Sequence, residues 1–286
     1  MATKKKPAKP VPAKPSLERV KSHKGAPLSH KPGENAAQIA SPSYRLAALD
    51  QDFLLGKSMR GVRFLLEYSK TEEALERWGV RSTLVVFGSA RFAENGPPDH
   101  RRWYAHARAF AKLASEKGGA MHNVHPRDNV IATGGGPGIM EAANRGAQDA
   151  GAPSIGFNIT LPHEQFPNAY STPELTFRFH YFAMRKMHFA MRANALVVFP
   201  GGLGTFDELF EILALRQTGK SPPLPIILYD EKFWRSVVSF EAMVKHGLIG
   251  AEDLSMFSYA ETPEQAWDLL VERGVLTAWL QEQHTV

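Results

Sequence analysis

The sequence predicts an α/β fold: a parallel sheet with helices on both faces, preceded by an N-terminal helical extension. Three observations predict it. Short apolar, β-branched runs (TLVVF at 83–87, NVIAT at 129–133, ALVVF at 195–199) alternate with longer segments of helical spacing, as strands buried on both faces and joined by right-handed crossovers should. Several of these runs end in glycine-rich turns that lead into a helix. No internal period repeats, which excludes a solenoid. At 286 residues and 43% apolar composition, the chain can bury one sizeable core.

In chain order, residues 1–43 come first, Lys- and Pro-rich and poor in large apolar side chains. Such a stretch cannot offset its ordering entropy, so disorder is expected. It holds nine Lys/Arg against two acids, whereas the remaining 243 residues hold 25 against 27, so the net charge of +5 resides in the tail. A nucleic-acid role would rest on the run KKKPAKPVPAKP alone, and a solvated tail is the preferred reading. From Tyr44 to Leu66, apolar residues recur at helical spacing, so one or two helices are expected over 44–69 and another over 71–78. This is the helical extension, 44–80. Arg60 and Arg63 on it are assigned to a solvated face, with the ligand pocket as the alternative.

The nucleotide-binding catalytic domain is placed at 81–286. TLVVFGSAR reads as a strand and turn, followed by a helix over 100–117. Gly88 and Ser89 fall at the carboxyl end of that strand, where ligands sit in open α/β sheets. Ser89 either donates to a ribose or phosphate or caps a helix. The strand at 129–133 leads into Thr133-Gly134-Gly135-Gly136-Pro137-Gly138. That glycine order is not the dinucleotide GxGxxG, and no acidic residue ends the next strand, so NAD is disfavoured. Glu141 and Asn144 fit first-turn dipole complementarity. A strand at 153–159 precedes a long segment to about residue 180 with His163, Gln165, Asn168 and Tyr170, read as a flap over the pocket. Helix 205–217, strand 225–230, helix 231–246, a strand near 255–259 and a helix after Pro263 with an apolar tail through Val275 and Trp279 complete the alternation.

The absence of cysteine excludes disulfides, thiol chemistry and Cys-ligated zinc. His163, His180 and His188 lack the spacing of a ligand set, so no metal is assigned. No secretory h-region or membrane-length apolar run occurs, so a soluble, cytoplasmic protein without membrane partners is expected.

The most informative stretch is RKMHFAMRANALVVFPGGLGTFDELFE at 185–211. Gly201, Gly202 and Gly204 allow a tight turn and close backbone approach, and the helix beginning near Thr205 adds its dipole and free N–H groups. The turn is a seat for a phosphate. Glu208, one turn into that helix, and Arg185 and Lys186, just before the strand, would converge on it. Thr205-Phe206-Asp207-Glu208 also fits a capping box in which Glu208 bonds back to the Thr205 N–H. Spacing alone favours that reading.

PGGLGTFDE at 200–208, preceded by MRK at 184–186, resembles the paired signature of the LOG family, cytokinin-activating nucleoside 5′-monophosphate phosphoribohydrolases often mislabelled lysine decarboxylases. Every fixed position of PGGxGTxxE is matched, FGSAR at 87–91 and TGGGPGIMEAANRGA at 133–147 are similar to further blocks of the family, and the tract 161–182 looks like its longer bacterial branch. The resemblance implies a Rossmann-like domain that uses Glu208 and Arg185 as catalytic residues and no metal or organic cofactor. It implies substrate contacts from Gly88, Ser89, Thr133, Gly134, Gly135, Gly136, Met184, Lys186, Gly201, Gly202, Gly204 and Thr205. It also implies a homo-oligomer, at least a dimer, with the Arg185 helix helping to build the interface. One departure concerns the base side: plant-like members carry a further Arg where this chain has Met191, with Arg192 next to it. The implied reaction releases free base and ribose 5-phosphate from an AMP-type or cytokinin monophosphate. A non-catalytic nucleotide carrier is the alternative, and lysine decarboxylation is disfavoured because no Lys sits in a PLP-binding context.

Overall fold

A computed structural model describes residues 33–122, 126–161 and 166–275. The chain separates into two units, residues 1–57 and 58–286. In the first unit, α1 (Ala36–Ala40) falls inside the stretch expected to lack structure, and the rest of the basic tail, 1–32, lies outside the described residues. The first of the helices expected from residue 44 is reduced to short 3-10 turns and α2 (Gln51–Leu55), capped by Asp50, which accepts from the Phe53 N–H at 3.2 Å.

The second unit opens with α3 (Arg60–Arg77), one helix where a break near 70 was expected. The buried Thr71 is the reason. Its hydroxyl donates to the Glu67 carbonyl at 3.0 Å, so a polar residue that interrupts the apolar pattern is satisfied inside the helix. There follow β1 (Thr83–Phe87), α4 (Pro98–Lys117), β2 (Val130–Thr133), α5 (Ile139–Asp149), β3 (Ser154–Ile159), β4 (Thr176–Phe179), α6 (Phe182–Met191), β5 (Ala193–Val198) and α7 (Leu203–Gln217). The chain then continues through β6 (Ile226–Tyr229), α8 (Glu231–Val237), α9 (Phe240–Lys245), β7 (Phe257–Ala260) and α10 (Pro263–Glu272).

The strands form one seven-stranded sheet in the order β4-β3-β2-β1-β5-β6-β7, every neighbouring pair parallel. Apolar residues alternate between its faces. Val85, Phe87, Leu196 and Val198 join the cluster under α6 and α7, while Leu84, Val86, Ala195 and Val197 join the one under α4, α5 and α10. The expected α/β fold, Rossmann-like, is what the chain adopts. Two elements differ from expectation. β4 lies within the segment read as a flap, its buried Phe177 and Phe179 alternating with outward Thr176 and Arg178 in register with Gly156–Ile159. The single helix expected at 231–246 is broken by extended Val238, after which Ser239 caps α9 by accepting from the Ala242 N–H at 3.3 Å.

The order of strands reverses direction between β1 and β5. Crossovers from β1 run outward through β2, β3 and β4, and those from β5 run outward the other way. The carboxyl ends of β1 and β5 therefore part their loops and leave a crevice, the place where open α/β sheets bind ligands.

Candidate active site

A cavity of about 680 Å³ occupies that crevice. One wall is Gly88–Phe92 after β1, another is Gly201–Thr205 with Glu208, and Gly134, Met140, Arg185, Phe189 and Phe233 complete it. Of the residues expected to contact substrate, it brings together Gly88, Ser89, Gly134, Arg185, Gly201, Gly202, Gly204, Thr205 and Glu208. Thr133, Gly135, Gly136, Met184 and Lys186 do not line it.

Close packing explains several of these glycines. A Cβ on Gly88 would fall 2.7 Å from the Ile139 side chain, and one on Gly138, whose φ is +72°, would fall 2.3 Å from the Ser89 carbonyl oxygen. The turns after β1 and β2 are thus pressed together, tied by the Ile139 N–H donating to the Ser89 carbonyl at 3.1 Å. Gly201 presses on Thr205, whose Oγ1 would lie 2.1 Å from its Cβ. Gly202 and Gly204 differ: a Cβ on either meets nothing within 4 Å. Their backbone faces open space.

Helix α7 begins at Leu203, two residues before the expected start, with Gly202 as its N-cap. That shift overturns the capping-box reading. Thr205 is already inside the helix, its N–H donating to the Gly202 carbonyl at 2.9 Å, and Glu208 caps nothing. Glu208 instead accepts from Arg185 Nη2 at 2.7 Å, with both side chains largely buried. Burial pushes the Glu208 carboxyl above its ordinary pKa, against the opposing pull of Arg185 and then Lys186. The Arg185 guanidinium lies over the rings of Phe182 and Phe189, 5.1 and 5.7 Å from their centroids, and its Nε has no hydrogen-bond partner. Leu203 and Gly204, whose N–H groups precede the first bond of the helix, lie on the same cavity as this ion pair.

The remaining expected contacts bond or pack within the protein. Thr133 Oγ1 accepts from the Gly135 N–H at 2.9 Å and donates to Asn144 Oδ1 at 2.7 Å. Asn144 donates to Ser154 Oγ and the Ile155 carbonyl, and Asn168 donates to both Asn144 Oδ1 and the Gly136 carbonyl. Asn144 is therefore the hub of a buried network that shapes the 133–136 turn, not a partner of the helix dipole. Glu141 accepts from the Tyr104 hydroxyl at 2.8 Å. Asn168 ties the supposed flap to that turn, Tyr170 stacks under Arg145, and neither lines the cavity; His163 and Gln165 lie outside the described residues. Gly135, at φ +69°, leaves no room for a Cβ beside Asn158.

Lys186 pairs with Asp207 at 2.8 Å and Glu211 at 3.1 Å; burial pulls its pKa down, but these partners outweigh it and leave it raised. Met184 packs on the core. Arg192 forms a two-pronged pair with Glu72 of α3, and Met191 is exposed, so neither reaches the cavity. Ser89 caps no helix, since α4 starts at Pro98; its Oγ accepts from the Arg91 N–H at 3.1 Å. Arg63 donates to the Tyr181 hydroxyl at 2.9 Å. Among the described residues, no three His, Cys, Asp or Glu group as a metal site, and no helix is long and apolar enough to cross a membrane.

Sequence reasoning missed Arg91, Phe92, Met140 and Phe233 in the lining. Arg91 and Phe92 directly follow the FGSA turn, which was signal enough. Phe233 becomes a lining residue only through the packing of α8.

Residues 140–270 match a family model described as "possible lysine decarboxylase". Among curated proteins, the probable cytokinin riboside 5′-monophosphate phosphoribohydrolase LOG4 of Oryza sativa subsp. japonica is 26% identical over 147 residues, 50% of this chain and 63% of that protein. The cytokinin riboside 5′-monophosphate phosphoribohydrolase LOG4 of Arabidopsis thaliana is 24% identical over 140 residues, 48% of this chain and 64% of its own length. The match thus spans less than two thirds of these relatives. Among solved structures, the molybdenum cofactor binding protein of Rippkaea orientalis is 19% identical with a TM-score of 0.45, covering 67% of this chain and 96% of that one. The Moco carrier protein of Chlamydomonas reinhardtii is 21% identical with a TM-score of 0.44, covering 68% and 98%. At these values the two structures add nothing to the fold described above.

Proposed function

We propose that the chain is a LOG-family enzyme, as its match to the family model over residues 140–270 and its likeness to the phosphoribohydrolases support, and that it hydrolyses the N-glycosidic bond of a nucleoside 5′-monophosphate, releasing free base and ribose 5-phosphate. The observation that carries the reading is the buried Arg185–Glu208 pair on the wall of a cavity that also holds the open glycine backbone of Gly202 and Gly204. A 5′-phosphate seated on the first turn of α7 receives backbone N–H groups and the positive end of the helix dipole. The ribose then lies toward Glu208. As the C1′–N bond breaks, positive charge develops at C1′, and a fixed carboxylate there stabilises the transition state more than the ground state. Water adds its oxygen to C1′ and gives up a proton, and the departing base takes one. Arg185 holds the carboxylate in place and offers its remaining N–H groups to substrate. The functional unit is a homo-oligomer, at least a dimer.

The test is ribose 5-phosphate release from a panel of purine and pyrimidine monophosphates, with adenosine beside AMP. AMP is cleaved far faster than adenosine. Equal turnover of the two would remove the phosphate from the glycine turn, and binding of monophosphates without release would make the protein a carrier.

A further inference from the structure

The cavity has an aromatic side that the chemistry above does not use. Phe92, in the turn after β1, and Phe233, in the first turn of α8 after β6, both line it. They leave the sheet from different strands, yet one residue of α4 joins them: Trp103 stacks on Phe92 with ring centroids 4.9 Å apart and meets Phe233 edge to face at 6.0 Å. His100 covers Phe92 from the same helix at 4.3 Å.

A single carboxylate fixes this arrangement. Asp230, buried at the end of β6, accepts the Trp103 indole N–H at 2.9 Å, Arg102 Nη2 at 2.8 Å and the Phe233 backbone N–H at 2.9 Å. To do so it adopts φ +71°, a conformation uncommon for any residue but glycine and one that clusters at functional sites. Phe233 and Trp103, the ring on which Phe92 stacks, are thereby anchored to one point.

Polar side chains on the cavity are few, and apart from the exposed Arg91 they are committed. Arg185 and Glu208 pair with each other, Thr205 is packed beneath Gly201, and the Ser89 hydroxyl accepts from the Arg91 N–H. Rings without a facing set of amides or carboxylates recognise a flat ligand by its π-face and area rather than by its edge. We propose that Phe92 and Phe233 form a stacking wall for the nucleobase, with Asp230 as the positioning residue, so that the site selects purine over pyrimidine monophosphates by ring area. This rests on the nucleoside monophosphate reading above.

The experiment is calorimetric binding of AMP, GMP, CMP and ribose 5-phosphate to the full chain, with Phe233→Leu, Phe233→Tyr and Asp230→Asn beside wild type and a thermal melt for each. Wild type binds AMP and GMP alike and CMP about tenfold more weakly, on the scale of a lost stacking contact. Phe233→Leu weakens both purine nucleotides about tenfold and leaves ribose 5-phosphate, which has no base, unchanged. Phe233→Tyr, which keeps the flat face, restores the purine preference, and Asp230→Asn narrows it. A Phe233→Leu protein that folds and keeps its purine preference, or that loses ribose 5-phosphate as much as AMP, overturns the wall. If AMP binding depends on Phe233 but no ribose 5-phosphate is ever released, the hydrolase reading falls and the wall stands. If AMP is hydrolysed with a KM indifferent to Phe233, the reverse holds.

Discussion

Replacing Gly204 by alanine separates the helix from the ligand seat, because the two respond in opposite directions. Gly204 is the second residue of α7, lacks a positive φ, and a Cβ built there meets nothing within 4 Å. Alanine is favoured over glycine in a helix by about 0.5–1 kcal/mol, so the folded protein gains stability. For a chain of this size, that is a rise in Tm of about 1–4 °C. The same methyl group is added at a residue that lines the cavity. If it displaces one charge-assisted hydrogen bond to the phosphate, KM for AMP rises by roughly ten- to a hundredfold. The neighbouring Gly201→Ala is the control. Its Cβ would lie 2.1 Å from Thr205 Oγ1, and Thr205 is buried, so this variant loses about 1–3 kcal/mol to overpacking. Thermal melts and initial rates of ribose 5-phosphate release read both quantities. A Gly204→Ala protein with a raised Tm and an unaltered KM refutes the phosphate seat, and a lowered Tm refutes a helix start at Leu203.

Asn144→Leu removes the fully buried hub of a polar network and strands Thr133, Ser154 and Asn168; urea denaturation should show a loss of about 2–4 kcal/mol. Glu67→Ala deletes the acceptor that α3 gives to the His180 and Tyr181 N–H groups at the start of α6, so the α6 amides exchange faster and stability falls by about 0.5–2 kcal/mol. Burial holds His188 below the ordinary histidine pKa, with Glu72 opposing. The unfolded state therefore binds the proton first, and stability is lost as pH falls through about 6.5. His188→Phe flattens that limb of the pH–stability curve, whereas an unchanged slope assigns the acid sensitivity elsewhere.

The alternation of strands and helices was legible because strands buried on both faces leave continuous apolar runs, as Leu84–Phe87 and Ala195–Phe199 do. β4 was not legible. Its four residues form no continuous apolar run within a long segment, and pairing with β3 makes Phe177 and Phe179 a strand. The continuity of α3 was hidden for a related reason: Thr71 looks like a break until its hydroxyl is seen to bond within the helix. At the site, the glycine turn and Arg185 with Glu208 were readable from type and spacing. The partner of Glu208 was not, because a two-residue error in the start of α7 makes a capping box out of residues that form none. Likewise, Thr133 and Lys186 belong to recognisable motifs, but only the fold reveals that their polar atoms are spent on Asn144 and on Asp207 with Glu211.

Glu208→Gln puts the central claim to the most direct test. The amide can still accept from Arg185 across the 2.7 Å contact, and its fixed neutrality removes a carboxyl that burial drives above its ordinary pKa. A group shifted that way costs stability as pH rises through its folded pKa, which offsets part of the cost of leaving the buried Arg185 without a charged partner, so at neutral pH the variant should remain folded and melt near the wild-type temperature. Ribose 5-phosphate release from AMP should nevertheless fall by about two orders of magnitude or more, the scale for removing an electrostatic stabiliser. Full turnover by the folded variant would contradict the assignment of Glu208 to the reaction.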